Sequence, residues 1–476
     1  MNENLNEALE RIGDKYLEEA AHYYKKSRRS RWLGAIAAVL AVALASGAVL
    51  HHIHKDPTIF LPRGLVAAPV YPQLAPWPNW ENYEDSSEYS DAFDAWRESY
   101  NAQHDQPEGY ANSLTDFLAK SIPEFLSGEG NQAYSPLNVY MALAMLAETA
   151  GGDSRQQILD LLGADSIESL RAQAGHVWNA HYQADGESVS ILANALWLDE
   201  ERRYKENTVQ TLANSYYSSV YNGDLGSDEM NDHLRQWLDS QTGGLLKEYT
   251  QELELDPDTV FALTSTVYFN AHWYEPYFSE TCTEGVFHSS TGDVTVSFMD
   301  DRCTPRTYYW GEDFGAVQLT LKGFNSMWLI LPDEGKTVSD VLASEEYLQM
   351  TLNPTQWANQ KNITVYMTVP KFDISSNTDM IEGMKNLGIT EVFDPQAADL
   401  SNLAGGDTYV GKMEHAVRVT MDDQGVTAVA YTEIESSITG LPPEDEIAFV
   451  LDRPFLFMVT SPDDLPLFAG VVEQPG

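Results

Sequence analysis

A chain of 476 residues with 43 % hydrophobic and 11 % aromatic content can bury a large core, either as two or three average domains or as one large domain with appendages. Its 72 acidic and 28 basic side chains give a formal charge of −44, which repels phosphate backbones and excludes nucleic acid as a partner. Cys282 and Cys303 are the only cysteines, so neither a zinc site built on several thiolates nor a disulfide framework is available.

The first segment, 1–31, places Leu5, Leu9, Ile12, Tyr16, Leu17 and Ala20 at helical spacing and predicts a small amphipathic helix. Residues 32–50, WLGAIAAVLAVALASGAVL, are uncharged and would span roughly 28 Å as a helix, about one bilayer core. The basic run KKSRRSR stands before them and the chain turns acidic after them. This asymmetry predicts a single-pass signal anchor with 1–31 in the cytoplasm and the remainder outside. Cleavage near Ala43-Leu44-Ala45 or Ser46-Gly47-Ala48 is the alternative and would release a secreted protein. Residues 51–110 mix Pro, aromatics and acids without sustained periodicity and read as an extended acidic stalk. His51, His52 and His54 within it have no carboxylate or thiolate companions, and no metal site is expected.

From 111 to 476 the pattern is that of one continuous globular domain. Helices are predicted at 112–127, 136–150, 153–162, 167–183, 206–217 and 228–241, with strands at 188–198 and 259–269. The second half is mostly strand, at 315–322, 326–331, 363–374, 408–422, 447–460 and 465–472, broken by short helices near 337–349 and 377–387. Helices largely preceding strands indicate an α+β fold. In SPLNVYMALAMLAETA, Ser135 is a natural N-cap, Pro136 occupies the first helical position, and apolar residues lie on nearly every face. That helix should be buried all round, so Asn138 needs buried partners.

GDTYVGKM at 406–413 nearly fits a phosphate loop, but Met413 stands where a Mg²⁺-binding hydroxyl is required and the flanks read as strand. HExxH, GxSxG, GxGxxG and EF-hand signatures are absent, so nothing points to an enzyme or to a cofactor.

Several short strings occur in a fixed order: YSPLNVYMALAML, NDHLRQWLDSQTGGLLKE, DTVFALTSTVYFNAHW, VPKFDI, LGITEVFDPQAADLS, DRPF and PLFAGVV. Together they resemble the serpin family over about residues 111–476. The resemblance implies helices packed on a large central mixed sheet, two smaller sheets, and an exposed reactive loop at about 424–446. The loop hinge would be Gly425, Val426, Thr427, Ala428, Val429, Ala430, Tyr431 and Thr432, where the family pattern resembles E-E-G-T-E-A-A-A-A-T. Val426, Ala428, Ala430 and Thr432 would share one strand face, small and uncharged, while Val429 and Tyr431 share the other. Proline is absent from 424–441, so no ladder position is blocked.

Ser135 and His415 match a buried cluster that holds the central strands where they part. Asn138 and Ser265 stand where the family usually has Ser and Asn, which suggests an amide and a hydroxyl with exchanged positions. Trp273 matches the family's Trp where the loop first meets the sheet. By the family's spacing from Gly425 the scissile bond would fall near Thr439-Gly440, with Ile438 and Leu441 beside it, while the count back from Pro454 would put it about four residues later. No Lys or Arg lies between Gly425 and Asp452, which disfavours trypsin-like targets. The implied partner is an elastase-, subtilisin- or chymotrypsin-like serine protease held as a covalent acyl complex, with papain-like cysteine proteases as a second class. A non-inhibitory serpin-fold binding protein is the rival reading, and a monomer is expected. Cys282 and Cys303, 21 positions apart, form either a disulfide or two buried thiols.

Overall fold

In chain order the helices are α1 Ser86–His104, α2 Leu114–Leu126, α3 Pro136–Thr149, α4 Gly152–Leu161, α5 Ile167–His181, α6 Glu206–Ser215 and α7 Asp228–Gln241. The short helices α8 Lys247–Thr250, α9 Val338–Ala343, α10 Glu346–Leu352 and α11 Ile381–Asn386 follow. The computed structural model describes residues 58–59, 61–79, 82–186, 188–244, 246–251, 253–275, 277–301, 305–405, 408–426 and 445–475. The segment 1–31, the span at 32–50, Cys303 with its pairing, the hinge residues Thr427–Thr432 and the scissile-bond candidates Ile438–Leu441 all lie outside the described residues. Among the described residues no helix is long and apolar enough to cross a membrane.

The helix after Ser135 forms as its sequence requires. α3 begins with proline at its first position, and all but one of its residues are buried. It packs against strands of both large sheets and is the central pillar of the core. Elsewhere caps set the boundaries: the Ser166 hydroxyl accepts from Ser169 N at the start of α5, and the Ser227 hydroxyl accepts from Met230 N at the start of α7.

One eight-stranded sheet is ordered β13 (Phe372–Asp379), β14 (Glu414–Met421), β15 (Gly425–Val426), β6 (Phe261–His272), β4 (Ser188–Asp199), β5 (Ser218–Gly223) and β1 (Gly64–Ala67), with β3 (Gln183–Ala184) also pairing β4. Along β14 buried His415, Val417, Val419 and Met421 alternate with more exposed neighbours, which fixes its register against the core. The other large sheet corrects an expectation. Instead of two smaller sheets there is one continuous ten-stranded sheet, because β9 (Pro305–Trp310) pairs both β10 (Phe314–Thr320) and β12 (Gln360–Pro370). It also contains β2 (Gln132–Tyr134), β7 (Phe278–Ser289), β8 (Gly292–Asp301), β11 (Ser326–Pro332), β16 (Glu446–Val450), β17 (Phe455–Thr460) and β18 (Pro466–Val472).

Two predicted strands are each two. The run 363–374 switches sheets after Pro370, and 447–460 breaks around Asp452-Arg453-Pro454, where proline lacks the N–H a ladder needs.

The larger correction concerns the stalk. Residues 61–104 are not an extended tether: β1 adds antiparallel to β5 at the sheet edge, and α1 is a 19-residue helix capped by Asp85. Residues 60–476 form one compact unit that includes this segment. The helical spacing of the α1 aromatics is masked by the prolines and acids that precede it. Tyr89, Phe93, Trp96 and Tyr100 recur at helical spacing and their rings pack in succession, with Trp96 and Tyr100 buried.

Candidate functional site

The eight-stranded sheet has a seam. β13–β14 lie on one side and β6–β4–β5–β1 on the other, and among the described residues only the two-residue β15 pairs with both. Met421 of β14 opposes Val426, while Gly425 and Val426 oppose His272 and Ala271 of β6. Gly425 belongs there for a steric reason: a Cβ would stand 2.4 Å from the Ala271 carbonyl oxygen and 2.8 Å from His272 Cα.

The turn feeding β15 is held from several directions. The Asp422 carboxylate accepts from Gln424 N at 2.8 Å and Gly425 N at 3.2 Å, an Asx-type turn. Trp273 donates its indole N–H to the Asp422 carbonyl at 3.0 Å and its backbone N–H to the Gln424 carbonyl at 3.0 Å. Lys371 pairs with Asp423. Burial alone would raise the Asp423 pKa, but the bonds from Lys371 and Gln424 outweigh it and hold the carboxyl below its usual range. Trp273 thus sits at the mouth of the seam, 5 % exposed, locking the turn that precedes the strand.

Further along, two polar pairs stand beneath the parted strands. Asn138 on α3 donates its amide N–H to the Ser265 hydroxyl of β6 at 2.9 Å. The Ser135 backbone N–H donates to His415 Nε2 of β14 at 3.0 Å, and the Ser135 hydroxyl donates to the Leu467 carbonyl at 2.7 Å. Accepting at Nε2 requires the ring proton to be on Nδ1, and burial pushes the His415 pKa down to about 4. A small cavity between the pairs is lined by Ser135, Asn138, Thr266 and His415, with Thr242 at the end of α7 beside it. The N-terminal end of α3 therefore touches both sides of the seam, one through a side-chain amide and one through a backbone N–H.

The structure brings Gly425, Val426 and Trp273 together at the mouth, and Ser135, Asn138, Ser265 and His415 together in the middle. Cys282 is half-buried on β7. The turn lock was missed in the sequence. Lys371 and Asp423 lie in the strings VPKFDI and MDDQG, but only the antiparallel register of β13 with β14, Phe372 opposite Met421, brings them together.

A profile of the Serpin (serine protease inhibitor) family matches residues 112–475, most of the chain. The chain belongs to the serpin family. Serpin-ZX of Arabidopsis thaliana is 27 % identical over 383 residues, covering 76 % of this chain and 97 % of that protein. Leukocyte elastase inhibitor A of Mus musculus is 27 % identical over 378 residues, covering 77 % and 97 %. Among solved structures, the native thermophilic serpin tengpin superposes with a TM-score of 0.68 at 26 % identity, covering 78 % of this chain and 95 % of tengpin. Human thyroxine-binding globulin complexed with thyroxine superposes at 0.66 with 20 % identity, covering 77 % and 99 %, which shows a shared fold. Serpins are inhibitors of serine proteases and not catalysts, although the fold also serves proteins with other tasks. This chain is accordingly not an enzyme.

Proposed function

We propose that this serpin is an inhibitory, membrane-anchored member that works outside the cytoplasm on a bacterial-type cell surface and traps serine proteases with small or apolar primary pockets. The observation that carries the inhibitory reading is β15, a strand begun between β6 and β14 just before the segment that the family resemblance reads as the reactive loop. The absence of proline and of inward-facing charge from 427–434 supports extension of that strand. The uncharged run 32–50 behind KKSRRSR supports the anchor.

The target's nucleophile attacks a loop carbonyl near Thr439-Gly440. An acyl bond forms, and the C-terminal side of the loop leaves as a free amine. Insertion of the freed N-terminal side as a central strand is β-augmentation within one molecule. About 15 residues at ~3.3 Å each would carry the attached protease some 50 Å along the sheet. Deacylation then fails because the dragged enzyme loses its oxyanion hole and triad geometry. The driving force is the metastability of the uninserted sheet. A second target class, the papain-like cysteine proteases, would meet the same loop, and the inhibitor would act as a monomer.

The deciding experiment incubates the protein with elastase-, subtilisin-, chymotrypsin-, trypsin- and papain-like enzymes. An SDS-stable complex with at least one of the apolar-pocket enzymes, and a rise in thermal stability after loop cleavage, are expected. Cleavage across the panel with neither complex nor stabilisation would sink the reading in favour of a serpin-fold binding protein.

A further inference from the structure

Residues 61–104 precede the family-profile match, which begins at 112. They are built onto the sheet at its insertion mouth. The Trp96 ring is 1 % exposed and donates its indole N–H to the Asp185 carboxylate at 3.2 Å, itself buried. Asp185 also accepts from Ser188 N at 2.9 Å, and the Trp77 N–H donates to the Asp185 carbonyl at 2.8 Å. Ser188 opens β4 opposite Ala271 of β6, and Ala271 opposes Val426 of β15. Four steps therefore lead from the helix to β15.

The same helix reaches the other wall of the mouth. The Tyr100 hydroxyl donates to the Gly323 carbonyl at 3.3 Å, and Phe324 packs against both Trp96 and Tyr100, with ring centroids 6.0 and 5.6 Å away. The 321–325 turn joins β10 to β11 of the ten-stranded sheet and meets Trp273 through the Trp273–Leu321 bridge. α1 thus ties the start of β4, in one sheet, to a turn of the other. Adding a strand in the seam requires β6, with β4 paired to it, to move away from β14. That motion shears contacts bridging the two sheets.

We propose that the segment 61–104 is a positioning element for loop insertion: α1, through Trp96 and Tyr100, clamps the mouth of the seam and sets how fast the sheet accepts a further strand. The clamp presupposes that the seam admits the loop, and its test is read without a protease. In the full chain, uptake of a synthetic peptide copying residues 425–438 is followed by native-gel shift and by the gain in thermal midpoint. Wild type is compared with Trp96→Ala, Trp96→Phe and Tyr100→Phe.

Loss of a buried ring and its hydrogen bond in Trp96→Ala should speed uptake about tenfold. The two Phe variants, which keep the ring packing and lose one hydrogen bond each, should speed it roughly two- to fivefold and cover the case in which Trp96→Ala does not fold. Uptake within twofold of wild type in all folded variants, whatever happens to their melting, overturns the clamp and reduces α1 to passive packing. If wild type takes up no peptide but the variants do, the clamp stands in its strongest form. If no protein takes up peptide, and wild type gains no heat resistance on loop cleavage, the insertion reading fails and the clamp fails with it.

Discussion

The seam is held in two different ways along its length. At the mouth, β15 bridges the two sides through backbone pairing, with the turn before it locked by Trp273, Asp422 and the Lys371–Asp423 pair. In the middle no backbone pairing between β6 and β14 is present among the described residues, and the work falls to side chains and one N–H rising from α3. A ladder can be lengthened one residue at a time, because each new pair resembles the last. A buried polar cluster is all-or-none, since removing one partner strands the other away from water. The mouth is therefore suited to starting insertion, and the middle to resisting it until the strand arrives.

The strongest way to break this comparison is to stop the strand at its fourth residue, Ala428. Ala428→Arg would place an unpaired charge on the inward face, and about a hundredfold loss of inhibition is expected, with the protein becoming a cleaved substrate. Retention of stable complexes at the wild-type yield would mean that insertion does not use this face.

Acid should strike the middle of the seam at His415 and the α1 side of the molecule at His181. Burial lowers the pKa of His415 to about 4, and of His181 on α5 to about 4 as well. Between pH 6.5 and about 4 the unfolded chain therefore binds protons that these folded rings refuse. Native stability falls as pH drops through that window, by up to about 3 kcal/mol for each ring. Denaturant melts at pH 7 and 4.5 should show the loss, and His415→Gln should remove part of it. A flat profile between those pH values would contradict the buried neutral imidazoles.

Asn138→Ala leaves the Ser265 hydroxyl without its donor and should cost about 1–3 kcal/mol. The exchange Asn138→Ser with Ser265→Asn should recover much of this, a coupling visible in a double-mutant cycle of denaturation midpoints. Additive losses would show that the pair does not act as a unit.

Gly425→Ala should cost about 3 kcal/mol, since the new Cβ would stand 2.4 Å from the Ala271 carbonyl oxygen and the turn before it is held by Trp273, Asp422 and the Lys371–Asp423 pair. It should also slow uptake of the loop-mimicking peptide. Unchanged uptake would locate the start of insertion beyond β15.

Legibility followed the range of the interaction. The buried helix after Ser135 was readable because capping and an apolar surface are local, and so was the alternation along β14. The cluster of Ser135, Asn138, Ser265 and His415 was readable through resemblance, and the Asn138–Ser265 bond has the donor and acceptor that exchanged residues would require. The hairpin of β7 and β8 and the strand β5 were not anticipated, because their residues are polar or mixed and their pairing partners supply the order. Helix α1 was missed although Tyr89, Phe93, Trp96 and Tyr100 recur at helical spacing; the prolines and acids before it mask that stripe, and the hydrogen-bond partners of Trp96 and Tyr100 stand some 90 and 220 residues further along the chain.

By itself the sequence determined the α+β plan, the central buried helix, and a stretch at 425–434 whose one face is small and uncharged and which carries neither proline nor a basic residue. These depend on composition, periodicity and spacing, which are properties of neighbours. Only the tertiary structure decided that the second sheet is continuous, that Lys371 meets Asp423, and that Trp96 and Tyr100 pack against Asp185 and the 321–325 turn. Each of those rests on groups distant in sequence, whose pairing is set by sheet register and by which buried polar groups remain to be satisfied once the core has closed.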